Sequence, residues 1–122
     1  MSEPVLWFTF MGPGDKEWKV FLSNQSHNPL LGDGGKEGGA SGVAYYDAGI
    51  IEIDCADHDA EWQDSTVLHE IIHTALEGAN LSPRKEERIV LRLEKALWPV
   101  LRSFGLKWPK RPGAYRRIKE GR

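Results

Sequence analysis

A chain of 122 residues, 40% hydrophobic and 28% charged, has the size of one globular domain and can bury one core. Its opening stretch, MSEPVLWFTFMGPGDKEW, carries Glu3 where a secretory leader would be basic, and the apolar run ends by Gly12, so neither a leader nor a membrane span is expected there. The formal net charge of -2 conceals an asymmetry, because before Leu81 the only basic residues are Lys16, Lys19 and Lys36.

Val5 to Met11 and Glu17 to Leu22 read as short strands separated by GPGD, a strong turn signal, and predict an N-terminal hairpin. From Ser23 to Ser41 the chain is polar and glycine-rich without apolar periodicity, which reads as a long mobile loop. A second hairpin follows, with Val43 to Tyr46 and Ile50 to Asp54 flanking DAG. Ile51 and Ile53 alternate with Glu52 and Asp54, so that strand is expected to be buried on one face and wet on the other. The lone Cys55 cannot form an internal disulfide, which fits a reducing compartment and a cytoplasmic location, and it reads as a buried small hydrophobe.

Past Cys55 the spacing turns helical. Asp57 or Asp59 is placed to cap a helix start, and Val67, Leu68, Ile71, Ile72, Ala75 and Leu76 recur at three- and four-residue steps until Gly78. Ser82 as N-cap and Pro83 in the first turn open a second helix through Ile89, Val90, Leu93 and Leu97. Pro99 is expected to kink or break that helix, after which Val100, Leu101 and Phe104 continue the stripe. The fold class expected is α+β: a small antiparallel sheet of two hairpins, about four strands, packed on an antiparallel pair of helices within residues 1–105. Residues 106–122 form a basic tail that could grip nucleic acid by releasing counterions, although neutralising the acidic body or staying solvated is the simpler expectation.

The first helix contains TVLHEIIHTAL, and with it His69, Glu70 and His73 inside an apolar run. Four residues make just over one turn, so the two imidazoles project from the same face and can meet at one ion. A catalytic zinc site adds a third protein ligand and keeps a position for water. Glu70, next to the first histidine, is placed to take a proton from that water. Three fixed letters in five arise often by chance, but Ile71, Ile72, Thr74 and Ala75 are all uncharged, as expected for a buried turn whose polar groups need a partner.

Downstream of His73 there is no histidine, aspartate or cysteine, so a third ligand from that side must be Glu77, Glu86, Glu87, Glu94 or Glu120. Glu77 lies two turns beyond His69 on the same helix, about 12 Å along the axis. Against a buried stripe through Val90, Leu93, Leu97 and Leu101, Glu86 is in phase and Glu87 about a quarter-turn off. Across the short turn at Gly78 to Ser82, His73 and Glu86 are level, each roughly 6 to 8 Å from the turn, whereas Glu94 would lie about 18 Å up the second helix and is expected to miss the metal. Phase and height both favour Glu86.

These residues resemble the glutamate-ligand branch of the zincin metallopeptidases, and within it the short phage and prophage proteins similar to the ImmA/IrrE metallopeptidases. The resemblance runs from about Trp18 to Phe104 and rests on KEWKVFL, GVAYYDAGIIEID and TVLHEIIHTALEGANLSPRKEERIVLRLEKAL. It implies zinc on His69, His73 and a downstream glutamate, Glu70 as general base, and endopeptidase action on proteins inside a bacterial or phage-infected cell. The longer histidine-rich signature of metzincins is absent, since Leu76 and Ala79 stand where its glycine and third histidine would fall. Tyr45, Tyr46, His27, His58 and Tyr115 are the residues considered for steadying an oxyanion. Two other functions compete: a zinc-stabilised binding or adaptor module that cuts nothing, and a metal-dependent nuclease that uses the tail, against which the lack of a third histidine argues.

Overall fold

The computed structural model describes residues 4–24, 42–56 and 58–120, so most of the expected loop, with His27, and the candidate cap Asp57 lie outside the described residues. Strands β1 (Val5–Met11) and β2 (Glu17–Ser23) pair antiparallel around a tight turn at Pro13–Asp15, where Gly14 and Asp15 take positive φ. Strands β3 (Gly42–Tyr45) and β4 (Ile50–Asp54) form the second hairpin, with Gly49 at φ 67°. The α+β architecture has the expected four strands in two hairpins, in the order β1-β2-β4-β3.

One pairing departs from expectation. The hairpins join through β2 and β4, which run parallel with Val20 opposite Ile51 and Leu22 opposite Ile53, so the sheet is mixed. Its apolar face is built from Trp18, Val20, Leu22, Ile51 and Ile53. The polar side of β4 does not face water: Glu52 is fully buried, accepting hydrogen bonds from Ser23 Oγ at 2.5 Å and Tyr45 Oη at 3.1 Å. Paired acceptors and donors make that burial tolerable where an unpaired carboxylate would not be.

Helix α1 (Ala60–Ala75) crosses the sheet over β3 and β4. Asp59 caps it by accepting from the Trp62 amide at 2.8 Å, and Val67 enters the core beneath the sheet. Helix α2 (Pro83–Ser103) starts at Ser82, whose side chain accepts from the Lys85 amide, and packs on the other side of α1 through Val90, Trp98 and Leu101. Pro99 does not end the helix, which continues to Ser103; the missing N–H costs one intrahelical bond, and packing at Trp98 and Leu101 holds the turn. Among the described residues no helix is long and apolar enough to cross a membrane.

The basic C-terminal segment is part of this body. Trp108 stacks on Phe8 and donates its indole N–H to the Asp64 carbonyl, while Trp7, set aside by a bulge in β1, donates to the Pro109 carbonyl. Arg111 pairs with Asp64 at 2.8 Å and lies over the rings of Trp7 and Tyr115. A short helix, α3 (Tyr115–Glu120), puts Ile118 into the sheet core, and Lys119 Nζ donates to the Cys55 and His58 carbonyls. Cys55 is buried as expected, its thiol pushed up to about 11 chiefly by burial.

Candidate metal centre

His69 and His73 stand one turn apart on the face of α1 that meets α2, with ring centroids 5.1 Å apart. Each imidazole is bound at both nitrogens by carboxylates from α2. His69 Nδ1 lies 2.8 Å from Glu94 and His73 Nδ1 lies 2.6 Å from Glu86. The Nε2 atoms turn toward one residue, Glu87, at 3.4 Å from His69 and 2.8 Å from His73. Ligand atoms of His69, His73 and Glu87 all fall within 4.8 Å of one another.

That set fits zinc on chemical grounds. Two neutral imidazoles and one carboxylate make three protein ligands, and metal bonds of about 2.0–2.1 Å in a tetrahedron place ligand atoms roughly 3.3 Å apart. Glu87 turns one oxygen to each histidine, Oε2 at 3.4 Å from His69 Nε2 and Oε1 at 2.8 Å from His73 Nε2, distances on that scale. The Nδ1 partners complete the pattern, because a ligating histidine gains basicity and a fixed tautomer when its other nitrogen donates to a carboxylate.

Glu86, favoured by phase and height, therefore comes to the site on the Nδ1 side of His73, and Glu87 takes the position between the histidines. The reason lies in the helix phase. The spacing predicts a buried stripe through Leu93 and Leu97, but both are exposed, and the inward line of α2 is Val90, Glu94, Trp98 and Leu101. On that line Glu87 is central. Glu94, set aside as too far up α2, binds His69 because His69 is one turn farther from the connecting bend than His73. Glu87 and Glu94, seven residues apart, mark two turns of one face, and that spacing is a signal the sequence offers.

Of the residues considered for steadying an oxyanion, Tyr46 reaches this cluster. Its hydroxyl donates to Glu86 Oε2 at 3.0 Å and lies 3.3 Å from the His73 carbonyl. Burial, followed by the Glu86 carboxylate, raises its pKa well above the phenol value, so it remains a donor. The other upstream and tail candidates point elsewhere: Tyr45 donates to Glu52, His58 stacks on Trp62, and Tyr115 receives a hydrogen bond from Gln63.

Glu70 is buried in the wall of the same cleft. Among the described residues no side chain or amide donates to its carboxyl, and burial raises its pKa while His69 and His73 pull it down. A Cβ at Gly42 would meet Thr66 Cγ2 at 2.8 Å and Glu70 Cγ at 3.2 Å, so strand β3 lies directly on Glu70 and only glycine permits that approach. The cleft, about 840 Å³, opens between β3 and the helix pair and is lined by Val43, Tyr46, Glu70, both histidines and Glu87. The pKa of His73 is raised: burial opposes the charged form but is outweighed by the hydrogen bonds that the ring donates to Glu86 and Glu87 and by the field of Glu70.

No known protein family, curated protein or solved structure matches the chain.

Proposed function

We propose that the protein is a zinc-dependent metallopeptidase in which His69, His73 and Glu87 hold the metal and Glu70 is the general base. The observation that carries this reading is that both Nδ1 atoms are tied by separate carboxylates while both Nε2 atoms face a third, at the wall of a cleft beneath an edge strand. Zinc held there supplies Lewis acidity, which makes a water molecule acidic near neutral pH and polarises a peptide carbonyl. Glu70 accepts the proton released as the water attacks and returns it to the leaving amine, a task suited to a carboxyl whose pKa is lifted by burial. Glu86 and Glu94 fix the two imidazole rings, and Tyr46 holds Glu86.

Substrate recognition follows from the sheet. No described strand pairs with the outer edge of β3, whose residues Gly42 to Ala44 line the cleft, so an extended peptide from an intracellular protein adds there as a further strand. Purified protein is expected to bind about one zinc per chain, and His69→Ala to lose it. Glu70→Gln is expected to keep zinc and lose all hydrolysis in a proteome-wide comparison of new N-termini. Zinc retention with no cleavage by the wild type would replace this reading with that of a zinc-stabilised binding module.

A further inference from the structure

The cleft beside the histidines carries charge of one sign. Glu70, Glu86, Glu87 and Glu94 line it, and among the described residues no lysine or arginine does. The ion pairs made by lysine and arginine, Lys16 with Glu77, Arg102 with Glu61, Arg111 with Asp64 and Arg116 with Glu120, reach none of those four glutamates. Zinc held as proposed would bring two positive charges. If Glu70 carries its proton, Glu86, Glu87 and Glu94 still outnumber them, so the cleft is negative in either state of Glu70, and its low-dielectric walls focus that field. Glu70 itself is 6% exposed, borders the cleft and, among the described residues, accepts no hydrogen bond.

Shape adds a second requirement. Glu87, Leu91 and Glu94 follow at steps of four and three along α2, which puts them on one side of the helix, about 10.5 Å from end to end. Leu91 borders the cleft and is 49% exposed between the two carboxylates. An aliphatic surface flanked by acidic groups receives both the methylene stem and the charged head of a lysine or arginine. On the opposite wall, Gly42, Val43 and Ala44 present the outer edge of β3. A strand added there turns every second side chain to the helix side, about 7 Å apart, so two inward side chains fall within the reach from Glu87 to Glu94. An acidic segment would be repelled, and so would a second copy pairing through β3, which brings the same carboxylates with it.

We propose that the cleft selects basic substrate segments, extended chains that seat a lysine or arginine on Leu91 between Glu87 and Glu94. The inference rests on the peptidase reading for the substrate being a peptide, and deepens it by naming the class. Length-matched fluorescent peptides that alternate threonine with lysine, with glutamine or with glutamate are to be titrated with the full chain and followed by anisotropy, once with zinc and once with chelator. The lysine peptide is expected to bind about tenfold or more tighter than the glutamine peptide, and the glutamate peptide most weakly, with the differences narrowing as salt is added. Leu91→Lys puts a cation between the two carboxylates and is expected to remove most of the preference, whereas Leu91→Gln, polar but uncharged, keeps it. Leu91 is exposed, and unchanged circular dichroism of both variants shows that the fold is kept. Equal binding of the three peptides, binding of none, or a preference that Leu91→Lys leaves whole would each overturn the inference. The two readings fail differently. A lysine preference in a chain that takes up no zinc would sink the metal centre and leave charge selection standing; zinc-dependent cleavage of the glutamine peptide as fast as the lysine peptide would do the reverse.

Discussion

Glu87 is the residue on which the site turns, because it is the carboxylate that both Nε2 atoms share. Removing it with Glu87→Ala is expected to abolish stoichiometric zinc binding measured by competition with a chromogenic chelator. Glu86→Gln and Glu94→Gln each take away a partner of Nδ1 and are expected to weaken zinc by about 10–100-fold while leaving the stoichiometry intact. Equal loss in Glu86→Gln and Glu87→Ala would return the ligand role to Glu86. The placement of His69 and His73 on one helix face, with glutamates of the second helix beside them, was legible in the sequence because spacing and the absence of downstream histidine, aspartate and cysteine are one-dimensional facts. The choice among Glu86, Glu87 and Glu94 was not, because it depends on which part of a wide apolar arc α2 buries.

At the scale of elements, turn and cap chemistry carried most of what could be read. GPGD, Asp59, Ser82 and Gly78 sit where their backbone roles require, with Gly78 at φ 84° just past α1. Two elements escaped for a shared reason, which is that long-range packing overrode local pattern. The alternation in β4 reads as half-exposed, yet β4 lies between β2 and β3 and Glu52 is buried against Ser23 and Tyr45 of those strands. The basic segment after Gly105 reads as a tail outside the domain, yet Trp108, Tyr115 and Ile118 pack it against the sheet. Ile118 is 1% exposed, so Ile118→Ala is expected to destabilise the fold by about 2–4 kcal/mol in urea unfolding. A loss under about 0.5 kcal/mol would mean that the segment is not packed.

For the whole molecule, acid and zinc bound as proposed are expected to act in opposition. The folded metal-free protein raises the pKa of both His73 and Glu70. A group whose pKa is higher folded than unfolded contributes stability at low pH that is lost as pH rises through the folded value. Protein without metal is therefore expected to lose stability through His73 as pH rises above the ordinary imidazole value of about 6.5. Zinc requires neutral imidazoles, so its stabilising effect is expected to grow over the same rise in pH. Denaturant midpoints taken with chelator and with zinc across that rise test this, and parallel slopes would contradict it.

The tie between Trp7 and Pro109 joins residues 102 positions apart, and the Phe8–Trp108 stack lies beside it. A chain emerging from the ribosome can close α1 on α2 as soon as both are made, because their contacts are local. The core of the sheet is completed only once Ile118 has cleared the exit tunnel. For that interval a nascent chain presents the histidine-lined helix pair without its finished core, so the helix pair is exposed to solvent zinc, and to proteases, before the remainder of the protein can protect it.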